Sequence, residues 1–127
     1  VRRFFSGEHV KVGVDLIEIE RVRRTLERYP TFRERCFTEA EIAYCERRPN
    51  PAESYAGRFA GKEAVGKALG IGVRFTWREI EIVGRPKPRV QLTGRTRAAW
   101  ERLGGGEIDL SMTHSRDLAA AICVVAA

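Results

Sequence analysis

The run Val12-Gly13-Val14-Asp15-Leu16 is apolar and alternating, and it carries one carboxylate near its end. An acid in that position is costly to bury unless a cation meets it. Two readings of Asp15 stand side by side: a metal ligand, or an ordinary carboxylate turning out to solvent where a strand passes into a helix. A second carboxylate weighs on the choice. At about 100° per residue, Ala52, Tyr55, Ala56, Phe59 and Ala60 share one apolar stripe of a helix, and Glu63 and Lys67 continue it. Glu63 and Lys67 also have the i,i+4 spacing, glutamate first, of a common helix salt bridge. A plain surface pair, however, does not extend a buried face. One carboxylate from a strand end and one from a helix form a typical oxygen-donor set for magnesium. That ion keeps several waters and completes its shell with substrate phosphates. A lysine one turn beyond the glutamate then lies near the same phosphates.

The elements that must position these groups follow from periodicity. Val10, Val12, Val14 and Leu16 alternate as in a strand. Ile19, Val22, Leu26 and Tyr29 then recur at helical spacing until Pro30. Thr38 and Glu41 form a capping-box pattern at the head of another helix. After Pro49-Asn50-Pro51 a long helix runs from about Ala52 to Leu69 and stops at Gly70. Its Gly57, Gly61, Ala64 and Ala68 make a second stripe of small residues, suited to close packing against a sheet. Glu79–Val83 and Arg89–Leu92 read as strands around a short turn, and Thr96–Leu103 as a helix ended by three glycines. Ile108–Thr113 and Leu118–Val125 read as a closing pair of strands. The order predicts an α+β fold, a single domain over 1–127 with an antiparallel β-sheet packed on the long helix.

Composition narrows the class of partner. A formal charge of +6 favours a polyanion, whether nucleic acid, phosphorylated cofactor or acidic protein. Residues 21–35 hold six arginines against two glutamates, and Arg21, Arg24 and Arg28 lie away from the apolar face of their helix. No apolar run approaches the roughly 18–20 residues of a membrane span, so no membrane association is expected. Val1–Val10 lacks the extended apolar segment of a signal peptide. Cys36, Cys45 and Cys123 show neither CxxC nor Cys/His metal spacing, which suits a reduced, cytoplasmic chain. A small basic RNA-binding domain is the rival from another class. Aromatics are only 9%, though, with no RNP-like or GXXG element, so no nucleic-acid partner is expected. A catalytically silent structural subunit is the other alternative.

Three segments resemble a known family. Gly13-Val14-Asp15-Leu16, the run Arg58-Phe59-Ala60-Gly61-Lys62-Glu63-Ala64-Val65-Gly66-Lys67-Ala68-Leu69-Gly70, and Ser111-Met112-Thr113-His114-Ser115 are similar to the signatures of the holo-acyl-carrier-protein synthases. These are the short, single-domain phosphopantetheinyl transferases. Cys36–Glu41 and Trp77–Ile82 also fit, and the resemblance covers Val10 to Val125.

The resemblance implies an enzyme that moves phosphopantetheine from coenzyme A to a serine of a small acidic acyl carrier protein. Adenosine 3',5'-bisphosphate is released, and the carrier serves fatty acid or polyketide synthesis. Asp15 and Glu63 would hold a magnesium ion on the coenzyme A pyrophosphate. Lys67 would contact the transferred phosphate, Lys62 or Arg58 would reach other phosphates, and His114 would lie at the coenzyme A site. Either Glu63 or a water on the metal would take the serine proton. Arg21 is the carrier-docking arginine that the resemblance supports most directly, with Arg24 and Arg28 on the same stripe. The family's homotrimer, with active sites between subunits, is expected as well. Leu118–Val125 is apolar on both faces, which calls for a cover on each: helices, or a neighbouring subunit. Two departures stand out. Pro86-Lys87-Pro88 replaces the family's Gly-Lys-Pro in a shortened turn, and residues 1–9 form an N-terminal extension beyond the family's usual start.

Overall fold

The computed structural model describes residues 10–72, 77–84 and 86–126; the expected N-terminal extension, 1–9, lies outside the described residues. Strand β1 (Val10–Glu18) leads into α1 (Ile19–Arg28), α2 (Phe32–Cys36), α3 (Glu39–Glu46) and the long α4 (Pro51–Leu69). A 3-10 turn at Trp77–Glu79 precedes the hairpin β2 (Ile80–Val83) and β3 (Arg89–Leu92). Helix α5 (Gly94–Arg102), β4 (Ile108–His114) and β5 (Leu118–Ala126) complete the chain. The expected α+β architecture, with antiparallel strands against a long helix, is what the structure shows.

β5 is the central strand of a three-stranded sheet, antiparallel to β4 on one side and β1 on the other. The register sets Asp15 opposite Ala121 and His114 opposite Ala119. α4 packs across the inner face, and the small-residue stripe makes this possible. A Cβ on Gly13 of β1 would sit 1.9 Å from the Ala64 carbonyl oxygen and 2.6 Å from the Ala68 nitrogen, so only glycine permits that approach. Gly57 is the exception: a Cβ there would meet nothing within 4 Å, and the residue borders a cleft instead.

Local signals decide the helix ends. Thr38 and Glu41 form the capping box of α3, and Gly70, at φ 72°, closes α4. Two boundaries differ from expectation for one reason. Glu79 lies in the 3-10 turn because its carboxylate caps α5 from outside. It accepts from the Thr96 N–H at 3.0 Å, the Thr96 hydroxyl at 2.8 Å and the Arg95 N–H at 3.3 Å. Burial raises the Glu79 pKa, but those bonds outweigh it and hold the group below the usual carboxylate value. α5 therefore starts at Gly94, before the expected Thr96. α2 is too short to show a period in the sequence. Tyr29, expected on the buried stripe of α1, is 54% exposed, because the backbone turns extended there.

One sheet face is buried under α4 and the other is bare among the described residues. Val10, Val12, Val14 and Leu16 of β1 and Leu118, Ile122 and Val124 of β5 are large, apolar and exposed. The alternative that the remaining helices cover this second face is set aside. The three cysteines are free and buried, and burial pushes Cys36 and Cys123 up to about 11 and Cys45 to about 12. Such thiols stay neutral and unreactive. Among the described residues, no helix is long and apolar enough to cross a membrane.

Candidate active site

α4 separates two clefts that share no lining residue. The first, of about 290 Å³, is lined by Asp15 from β1, Arg21 and Val22 from α1, Phe32 from α2, and Phe59 and Glu63 from α4. Strand alternation puts Asp15 on the side of β1 that faces α4, and the Gly13 contact one residue pair earlier holds strand and helix together. The structure thus brings Asp15 and Glu63 to one cleft. Lys67, one turn beyond Glu63, donates to Asp15 Oδ1 at 3.1 Å and to the Val14 carbonyl at 3.0 Å. Its side chain remains 53% exposed, so the ammonium is anchored by Asp15 and still open to a ligand. Glu63 is not paired with Lys67 as an i,i+4 bridge; its Oε1 accepts from the Trp77 indole N–H at 3.2 Å.

Two carboxylates on one cleft wall fit a hard cation that keeps waters and finishes its shell with phosphate oxygens. Among the described residues, no three His, Cys, Asp or Glu side chains converge into a closed cage. Asp15 and Glu63 offer oxygen donors only, the kind a hard cation such as magnesium takes while the rest of its shell comes from other ligands.

The second cleft, of about 270 Å³, gathers Arg58 and Gly57 from α4, Tyr44 and Arg48 near the end of α3, His114 from β4, and Pro86 and Pro88 of the hairpin turn. Arg58 is almost wholly buried, its guanidinium lies 3.9 Å from the Tyr44 ring centroid, and its Nε has no hydrogen-bond partner among the described residues. A buried, unsatisfied cationic donor beside a cleft is costly without an acceptor. His114 Nε2 lies 3.4 Å from Glu53 Oε1. Lys87 points away, to Asp109 at 2.7 Å.

Lys62 is a correction. It was expected to reach a phosphate, yet its side chain is fully buried and all three ammonium donors are occupied. They go to Glu41 Oε1 at 2.6 Å, the Trp77 carbonyl at 2.8 Å and the Ile80 carbonyl at 2.5 Å. Burial lowers its pKa, with Glu41 acting in the opposite sense. Lys62 fastens α4 to α3 and to the start of β2. Its distance of seven residues from the buried Tyr55, two helical turns, was the signal that would have placed it in the core.

Arg21, Arg24 and Arg28 stay together and exposed around a shallow depression on α1. Arg21 also borders the Asp15–Glu63 cleft, so it joins that stripe to the site. Tyr44, Arg48, Glu53 and Trp77 line or touch the two clefts but carried no assignment from the sequence, because their neighbours come from distant segments.

Two carboxylates on one side of a helix and a cluster of basic groups on the other, one of them a buried arginine with a free Nε among the described residues, form a charge pattern suited to a cation and phosphate oxygens. Comparison with known proteins gives the family. The sequence model described as the 4'-phosphopantetheinyl transferase superfamily matches residues 11–123. A holo-[acyl-carrier-protein] synthase of Moorella thermoacetica is 47% identical over 119 residues, spanning 91% of this chain and 93% of that protein. The chain is also similar to an ACPS–CoA complex from Chronobacterium ammoniagenes, with TM-score 0.82 and 32% identity over 92% of this chain and 96% of that one. A holo-(acyl-carrier-protein) synthase from Bacillus anthracis in complex with CoA (3',5'-ADP) aligns with TM-score 0.74 and 30% identity, covering 92% and 96%. The chain belongs to the 4'-phosphopantetheinyl transferase superfamily, among the holo-[acyl-carrier-protein] synthases. The reading as a small RNA-binding domain finds no support.

Proposed function

We propose that this chain transfers the 4'-phosphopantetheine group of coenzyme A to a serine of an acyl carrier protein, with magnesium held by Asp15 and Glu63. The observation that carries the reading is the meeting of those two carboxylates with Arg21 in one cleft, on a chain of this family. The serine oxygen attacks the β-phosphorus, the bond to the adenosine bisphosphate oxygen breaks, and a serine phosphodiester forms. Such a transition state asks the protein mainly for positioning and charge neutralisation. Magnesium, when bound, supplies charge neutralisation on the pyrophosphate. Lys67, anchored on Asp15, meets the transferred phosphate. The serine proton passes to Glu63 or to a water in the cleft. Arg58, with its open Nε, and His114 take the remaining phosphates of the nucleotide.

The exposed arginine stripe on α1 is the docking face for an acidic carrier, and Arg21 leads from it into the cleft. The assembly is a homotrimer built on the bare sheet face. Its support is the family resemblance together with the exposed apolar side chains that adjoin one another across the paired strands β1 and β5, a kind of patch that marks an interaction surface. His114 stands at the border of that face, beside Leu16, Leu118 and Ala120. A second copy seated there would bring its own carboxylate cleft against the cationic cleft of the first, completing a site between subunits. The test mixes the chain with an apo-carrier and coenzyme A. Stoichiometric loss of coenzyme A with the phosphopantetheine mass gain on the carrier supports the reading, and an unmodified carrier rejects it.

A further inference from the structure

Glu63 is held by a residue to which the sequence alone attaches no role. The Trp77 indole N–H donates to Glu63 Oε1 at 3.2 Å. The indole itself is fixed from two directions. Its ring packs on Phe59, one helical turn before Glu63, with centroids 5.7 Å apart. Its backbone carbonyl is gripped at 2.8 Å by the buried Lys62, which Glu41 in turn holds at 2.6 Å. A fully buried ion pair thus sets where the tryptophan stands, and the tryptophan occupies one oxygen of the carboxylate beside the cleft.

The choice of donor matters. An indole N–H can donate but offers no lone pair, so it cannot ligate a cation itself. It also carries no charge, so it does not neutralise the carboxylate as a lysine or arginine in its place would. We propose that Trp77 is a positioning residue: it immobilises Glu63 through Oε1 so that Oε2 is presented to a divalent cation, and Lys62 acts through the Trp77 backbone to keep the indole at that height. The inference rests on the reading of Glu63 as a metal ligand. Groups that orient a ligand in this way typically change metal affinity or activity by about 10- to 100-fold.

The test uses Mn²⁺ as a paramagnetic probe, with its free concentration read by electron paramagnetic resonance in the presence of saturating coenzyme A. Trp77→Phe keeps a ring against Phe59 and the backbone carbonyl for Lys62 but removes the N–H. Replacement of Trp77 by β-(3-benzothienyl)alanine exchanges the N–H for sulfur within the same bicyclic outline, which covers the event that Trp77→Phe folds poorly. The expected result is Mn²⁺ binding weakened by about tenfold in both, with melting temperature and coenzyme A KM at saturating metal close to wild type. Wild-type Mn²⁺ affinity in either folded variant overturns the proposal. Glu63→Gln separates the two levels. If it weakens Mn²⁺ binding while the Trp77 variants do not, only the positioning role fails. If Glu63→Gln also binds Mn²⁺ normally, the metal reading falls and takes this inference with it.

Discussion

The two clefts flanking α4 differ in charge and in what satisfies them. On one side Asp15 is met by Lys67 and Glu63 by Trp77, so both carboxylates have a partner and keep room for a cation. On the other, Arg58 is buried with an unsatisfied Nε, and Arg48 and His114 stand around it. The same helix supplies Glu63 to one and Arg58 to the other, five residues apart and on different faces. A single chain therefore keeps its anion-attracting and cation-attracting halves separated, although a nucleotide bearing a pyrophosphate and a further phosphate asks for both. The bare sheet face beside His114 offers a way to bring the halves together from two copies.

The largest effect is expected in the carboxylate cleft. Asp15→Ala and Glu63→Ala should each lower transfer by about a thousandfold, the rate equivalent of roughly 4 kcal/mol of lost charge stabilisation. Melting temperature should hardly move, since neither side chain is part of the core. Chelation of the wild type should match the mutants, and added magnesium should reverse it. Turnover near wild type in either variant at saturating coenzyme A would leave the clefts equal in importance and remove the metal assignment.

Lys62 sharpens the comparison from between the clefts. Lys62→Met leaves Glu41 buried without its cation, a loss of roughly 3–5 kcal/mol in stability. Urea denaturation should show that loss, and adding Glu41→Gln should recover part of it. A variant of normal stability with a raised coenzyme A KM would instead return Lys62 to the nucleotide.

Much of this was legible in the sequence. The alternation of β1, the capping box at Thr38 and Glu41, and the Gly70 stop of α4 are local signals, and the structure follows them. Asp15 and Glu63 were candidates because a carboxylate interrupts an apolar pattern in each case. What stayed hidden depends on segments far apart in the chain. Glu41 was read as a cap, but its second use, gripping Lys62 and the Ile82 N–H, requires α3, α4 and β2 to meet. Glu79 was read as strand because its helix-capping partners, Arg95 and Thr96, lie beyond the hairpin. Trp77 had no visible role until its indole was seen against Glu63.

Mixing variant chains tests whether the clefts face each other across subunits. Asp15 and Glu63 line one cleft of one chain, so those two variants should not complement each other. Glu63→Ala and His114→Ala disable different clefts. After dissociation and random reassembly of equal amounts, about a quarter of the sites in a cyclic oligomer should receive both intact halves. Recovery toward that fraction supports shared sites. Activity no higher than the average of the two variants alone places both clefts' work within one chain.

The smallest effect is expected on the rim, where charges steer and do not react. Arg21→Glu together with Arg24→Glu reverses the stripe on α1 without touching the core, because Ile19, Val22 and Leu26 carry the packing of that helix. An acidic carrier should then dock less well, with its KM raised by about tenfold at low salt. Exposed charges are screened over about 10 Å at 0.1 M salt, so the wild-type carrier KM should rise with ionic strength while the variant's stays nearly flat. The coenzyme A KM is the control. Arg21 borders the carboxylate cleft but Arg24 does not, so Arg24→Glu alone should leave coenzyme A unaffected and still weaken the carrier. An equal loss for both substrates in the Arg24 variant would move the stripe from the carrier surface to the nucleotide site, and the rim would cease to be distinct from the cleft.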